Sequence, residues 1–405
     1  MMSESPPVDP TASKWSDDAF LDRLRASTDD EANATVAELK MHEGEVDRVN
    51  RILVGLRTGS DALPDDAPPA FLDFLARFKE RADACNTDPE QVRRGAEVFH
   101  RWAYPAAVVM LASSLPSGYS APPLARVLTV SDDLAVHPYR RLMAVVQLLI
   151  NVSSPEDGKT TDAEMSAMKL RLLHAGVRSL VPKSRPRYLE RFGLPVNHED
   201  MLATIMGFSL LVVDGIRTLG FEFSDQDADD YYAMWHHFSR LMNIAPSDDP
   251  LSEEFIPRDL EQAGIFYRSY QRRWFCQDPA QNADGVHLSE RNRQMMVELV
   301  PAPLRFLGLG RAPDILMYEL LGADGMERVG LQPLAGHRFD RWLLHLLLRV
   351  GQDVETVGEE FSSLFSAFIL QGMVRRSMGR VTFSVPDSIE ALKNLAEPQR
   401  FEEKS

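Results

Sequence analysis

The sequence holds only two cysteines, Cys85 and Cys276, far apart and with no CxxC spacing. That scarcity argues against a disulfide framework or a thiolate cluster and points to a reducing compartment. Positive charge is also short: 44 Lys and Arg face 60 Asp and Glu, a formal net charge of −16. A nucleic-acid surface finds no support in that balance, and an anionic membrane is disfavoured. No HExxH, GxxxxGK(S/T), GxSxG or EF-hand loop is present. LGLGRAP at 307–313 carries a GxG but lacks the preceding strand and further glycines of a phosphate-binding turn. The opening MMSESPPVDPTASKWSDD has no basic region followed by an apolar one, so no secretion signal is read. The longest apolar run, 201–213, ends at Asp214 and is short for a bilayer. These absences lead to the expectation of a cytoplasmic protein with no transmembrane segment and no nucleic-acid partner.

What is present is helical pattern. With 405 residues and 44% hydrophobic composition, the chain can bury a large core. Residues 1–14, rich in Pro, Ser and Asp, are expected to be disordered. An acidic helical segment with a Gly/Asp/Pro linker fills 15–70, a main all-α domain 71–385, and a frayed tail 386–405. VTFSV at 381–385 is the one strand candidate. Four helices matter most: 90–113, bent at Pro105; 137–152; 162–181, stopped by Pro182; and a helix N-capped by Asn197 and ended at Gly220. They are apolar around most of their circumference, which predicts buried members of a multi-helix bundle.

Among the ten histidines, adjacent His236 and His237 point about 100° apart on a helix and make poor joint ligands. His198 sits in the first turn of its helix, where capping or packing is the plain reading. His174, in MKLRLLHAGVRSL, is different. Arg171 and Arg178 flank it at i−3 and i+4 on one face, within a stripe of Leu170, Leu173, Val177 and Val181. Two readings stay open on the residues alone. One is a core histidine bonded to a carboxylate, with the arginines reaching solvent. The other is an axial ligand to haem, a cofactor that brings its own equatorial ligands and whose propionates arginines bind through forked hydrogen bonds.

RLLHAGVRSL and GLPVNHEDMLATIMGFSLLVVDGIRTLG, with the earlier LASSLPSGYSAPPLARVLTVSDDL and YRRLMAVVQLLINV, resemble the MpaB / rubber oxygenase family, which includes latex clearing proteins. The similarity covers roughly 90–250, and LRFLGLGRAPDILMYELLGADGMERVGLQP looks like the family's C-terminal part. The resemblance implies an all-α, globin-like multi-helix bundle enclosing haem b, with extra N- and C-terminal helices. It implies His174 as the iron ligand, flanked by Arg171 and Arg178, and a reaction between O2 and carbon–carbon double bonds of isoprenoids. The family's Arg on the preceding helix falls on Arg141, a candidate catalytic residue. Ala144 and Val145 stand where latex clearing proteins have Lys and Thr, and the acidic residues nearest the family's Glu are Asp132 and Asp133.

The expected function is therefore a haem b-dependent oxygenase acting on an olefinic or isoprenoid-like hydrophobic small molecule, with a possible electron donor. Ala144 and Val145 would roof the haem, with Phe208, Val212 and Met206 as pocket walls. A non-catalytic haem sensor or carrier and a haem-free helical interaction protein, docking through the acidic 15–70 segment, are the alternatives.

Overall fold

Polar residues start most of the long helices. In a computed structural model describing residues 13–56, 63–85, 87–130, 138–154, 162–244, 255–300, 309–333 and 385–393 (without the side chains of 138–144, 309 and 392–393), Asp17, Asp29, Asp88, Asn197, Ser224, Asp259 and Asn282 each accept a backbone N–H in the first turn. The helices are α1 (Asp18–Ala26), α2 (Asp30–Leu39), α3 (Glu45–Gly55), α4 (Pro69–Asp83), α5 (Pro89–Arg101), α6 (Ala103–Val109), α7 (Leu115–Tyr119) and α8 (Pro122–Leu128). Then come α9 (Pro138–Val152), α10 (Asp162–Ser184), α11 (Tyr188–Phe192), α12 (His198–Phe208), α13 (Leu210–Thr218) and α14 (Asp225–Leu241). The last are α15 (Leu260–Trp274), α16 (Ala283–Leu299), α17 (Ala312–Arg328) and α18 (Ile389–Lys393). The described residues form no strand. Of VTFSV only Val385 is described, and its N–H and C=O are both bonded by the Asn50 side chain, at 2.7 and 3.0 Å.

Local breaks differ from the sequence expectation in instructive ways. The bend expected at Pro105 lies at Trp102, whose φ/ψ of −109°/15° separates α5 from α6. Pro105 falls in the first turn of α6, where a missing N–H costs nothing. Pro182 does not stop α10, which runs on to Ser184. The long helix from Asn197 does end with Gly220, at φ 82°, but it breaks at Ser209, φ/ψ −110°/−82°. Between α6 and α7 a π-helical turn, Met110–Ser114, leaves backbone carbonyls unevenly paired, and Asn292 Nδ2 from α16 bonds the Leu111 carbonyl at 2.7 Å.

Close crossings set the layers. A Cβ on Gly95 would lie 2.2 Å from the Asp230 carbonyl, so α5 and α14 touch backbone to backbone there. Arg94 forks onto Asp230 at 3.0 and 3.2 Å, and Phe99 stacks on Tyr231. The N-terminal helices are part of this body, where the sequence predicted a separate 15–70 segment. Trp15, Phe20, Leu21 and Leu24 join the same core cluster as Phe255, Phe266 and the α12–α14 residues. Trp15 Nε1 donates to Gln262 Oε1 at 2.9 Å. The expectation of disorder over 1–14 lies outside the described residues up to 12; Ser13 caps a short 3-10 turn, Lys14–Ser16.

Candidate functional site

The site is built on α10, a 23-residue helix carrying Arg171, His174 and Arg178. Its His174 face is apolar as expected: Leu170 and Val177 are buried, Val181 is fully enclosed, and Leu173 is partly open. His174 itself is only partly buried. Among the described residues, no three His, Cys, Asp or Glu side chains converge on a metal position.

The two arginines part company. Arg171, 1% exposed, donates from Nε to Asp29 Oδ2 at 2.6 Å and from Nη2 to Asp29 Oδ1 at 3.0 Å and Glu31 Oε2 at 2.7 Å. Its guanidinium lies 5.0 Å from the Phe74 ring centroid. Two of its three nitrogens are thus bound to carboxylates of this chain, and Nη1 is buried with no partner among the described residues. Asp29 is also the N-cap of α2 and accepts from Asn243 Nδ2 at 2.8 Å. Burial alone would raise the Asp29 carboxyl; the Arg171 charge and hydrogen bonds, helped by Arg178, hold it well below the usual carboxylate range.

Arg178 Nε donates to Asn33 Oδ1 at 2.7 Å and Nη1 to the Val196 carbonyl at 3.2 Å, while Nη2 is buried with no partner among the described residues. Burial pushes this guanidinium down to about 10, against the opposing pull of Asp29 and with the repulsion of Arg171. Val196, β-branched, is held at φ 51°, a conformation that costs on the order of 1–3 kcal/mol and marks a point held by its surroundings. Beside it His198 is fully buried, with neither ring nitrogen partnered among the described residues. Burial pushes His198 down to about 4, so the ring is neutral at neutral pH.

Other predicted residues fall as follows. Arg141 and Ala144 lie on α9, and their side chains are outside the described residues, as are Asp132 and Asp133. Val145 is partly buried against the core. Phe208, also partly buried, stacks on Trp235 with centroids 5.2 Å apart. Val212 and Met206, each 1% exposed, are packed in the main hydrophobic core. His237 Nδ1 lies 2.9 Å from Thr87 Oγ1, and no joint site with His236 forms. Sequence reasoning missed Asp29, Glu31 and Asn243, which are 142, 140 and, to Asp29, 214 residues from their partners. The only local signal was Asp29 as an N-cap.

The family model described as "ER-bound oxygenase mpaB/B'/Rubber oxygenase, catalytic domain" matches residues 96–350, more than half of the chain. The chain belongs to this family. Within it, the rubber oxygenase of Streptomyces sp. (strain K30) is 25% identical over 244 residues, 58% of this chain and 56% of that protein. The chain thus matches a little over half the length of that curated relative. A solved structure of latex clearing protein in its closed state shares the fold, with a TM-score of 0.63 at 19% identity over 92% of this chain and 90% of that one. Membership places the chain among oxygenase catalytic domains. The all-α expectation is met in fold and family alike.

The cytoplasmic expectation is corrected, because the MpaB / rubber oxygenase family is described as that of an ER-bound oxygenase. The apolar run also proves longer than the sequence reading made it. His198–Thr218 is 21 residues, long and apolar enough to cross a bilayer by length and composition, although 61% of its most apolar window is buried inside this fold.

Proposed function

We propose that this protein is a haem b-dependent oxygenase that uses O2 on a hydrophobic, olefinic or isoprenoid-like small molecule. The observation that carries the reading is the α10 face. One partly exposed imidazole, His174, sits in a mostly buried apolar stripe, and on either side of it Arg171 Nη1 and Arg178 Nη2 are buried with no partner among the described residues. Family membership supports the oxygenase class.

His174 would ligate the iron, and Arg178 Nη2 would meet a propionate through a charge-assisted bond. When bound, haem supplies the redox chemistry that turns O2 on a carbon–carbon double bond. The chain's own part is to hold and to exclude. Arg171, fixed by Asp29 and Glu31, keeps α10 registered against α2. Leu170, Leu173, Val177 and Val145 give an apolar surround that excludes water and suits an apolar substrate. Arg141, on the helix packed against α10, is the candidate for polarising the reacting oxygen or positioning substrate.

Purified protein is expected to carry haem, with a Soret band that His174→Ala weakens or abolishes; an unchanged spectrum in that variant would sink the assignment. Olefin-dependent O2 consumption then separates the oxygenase from a haem sensor or carrier, the reading favoured by Ala144 and Val145 in place of Lys and Thr.

A further inference from the structure

The segment KSRPRYLERFGL, 183–194, stands apart from the rest of an acidic chain. It follows directly on the C-terminal end of α10 and runs through α11. Lys183, Arg185, Arg187 and Arg191 are all exposed, with Glu190 the one carboxylate among them. None of the four makes an ion pair among the described residues. Leu189 and Leu194, 45% and 39% exposed, belong to the few large apolar side chains left open on the described surface. Basic and apolar side chains thus lie close together on one short exposed segment.

The platform beneath them is fixed. Tyr188 is buried, its hydroxyl donates to the Pro123 carbonyl at 3.0 Å, and its ring meets Phe192 edge-on. Arg25 Nε donates to the Phe192 carbonyl at 2.7 Å. Leucines left about two-fifths exposed stand on a rigid base, and four cations without an ion pair among the described residues, in a chain of net charge −16, make a local field opposite to that of the whole.

We infer that the 183–194 face docks on an anionic phospholipid surface, with the basic side chains at the headgroups and Leu189 and Leu194 in the interfacial layer. Lysines and arginines near a negatively charged leaflet add attraction, and exposed leucines add burial that a purely acidic protein surface would not use. Such docking would bring one end of the His174 helix to the membrane, about ten residues or roughly 15 Å along the axis from that imidazole. Docking of this kind uses surface residues alone and does not depend on haem.

The test sediments the purified full chain with phosphatidylcholine vesicles, with and without phosphatidylserine. Binding is expected only with phosphatidylserine, and high salt should weaken it by screening. Arg185→Glu/Arg187→Glu/Arg191→Glu should abolish it, since each basic side chain is worth roughly fivefold in binding. Leu189→Ser/Leu194→Ser should weaken it severalfold while leaving the salt dependence. All five side chains are exposed, so circular dichroism and thermal midpoint should match the parent; if the triple variant fails to fold, the leucine pair decides alone. Absence of binding to phosphatidylserine vesicles, as an acidic protein partner would give, overturns the inference. So does binding that neither variant changes.

Discussion

Two buried ionic networks fasten the N-terminal helices to the core, and they run in opposite senses. In one, the cation comes from the N-terminal side: Arg25 of α1 reaches Glu199 and Asp200 of α12 at 2.8 and 3.0 Å. In the other, the cation comes from the core: Arg171 of α10 reaches Asp29 and Glu31 at 2.6 and 2.7 Å. The first network is closed. Glu199 also accepts from Arg273 at 2.9 Å and Trp274 at 3.0 Å, and Asp200 from Tyr270 at 2.9 Å and Asn197 at 3.0 Å. The Arg25 side chain stacks 3.7 Å above the Trp274 ring. The second network is open. Arg171 Nη1, Arg178 Nη2 and both His198 nitrogens are buried without partners among the described residues. Stability alone favours the closed arrangement, because an unpaired buried donor costs about 1–3 kcal/mol. The open one involves Arg171 and Arg178 of the His174 helix.

The comparison breaks most sharply at Arg25. Arg25→Ala leaves Glu199 and Asp200 buried without their shared cation, and a loss of about 3–5 kcal/mol in urea unfolding is expected. A loss under 1 kcal/mol would mean that Arg273 and Tyr270 suffice.

The next effect is a pH dependence. His198 is lowered from 6.5 to about 4 in the fold, by burial above all. The unfolded chain therefore takes up a proton first, and stability complete above pH 6.5 is lost as pH falls toward 4. The expected loss from His198 is of order 2–4 kcal/mol. His237, lowered likewise by burial, adds a similar slope, so His198→Gln should remove about half of the measured dependence. A variant with the parental slope would place the titration elsewhere.

Asp29→Asn tests the open network from its anionic side. Asn still caps α2, while Arg171 keeps only Glu31, so about 2 kcal/mol should be lost in thermal unfolding. The smallest stability change is expected at Arg178→Met. Arg178 is a poorly compensated buried cation, and an apolar replacement should shift haem-free stability by less than about 1 kcal/mol in either direction. The same variant should lose haem faster to apomyoglobin than the parent protein. Equal loss rates would remove Arg178 from the haem-contact set.

Much of the architecture was legible in order. Helix starts at Asn197 and Asp162, the stop at Gly220 and the buried character of the 197–220 run follow from caps and apolar periodicity, which are local. Misplaced breaks at Trp102 and Ser209 have no strong local signal, since neither residue bars a helix by itself; packing decides them. In the candidate site, the spacing of Arg171, His174 and Arg178 on one face was legible. Where each guanidinium goes was not, because Asp29 and Asn33 approach from helices about 140 residues earlier. Val212 and Phe208 look alike in a pattern, yet one is sealed in core and the other stays partly open.

The sequence by itself determined an all-α chain, its family, and a histidine set between two arginines on an apolar helical face. Those properties depend on periodicity, caps and motifs that neighbours in sequence carry. The tertiary structure alone decided that the acidic N-terminal segment is part of the core, that Arg171 pairs with carboxylates of that segment while Arg178 meets an amide and a carbonyl, and that a basic segment with two exposed leucines emerges from a chain of net charge −16. Charge pairing and exposure are set by distances of a few ångströms between residues far apart in sequence, and composition averages over them.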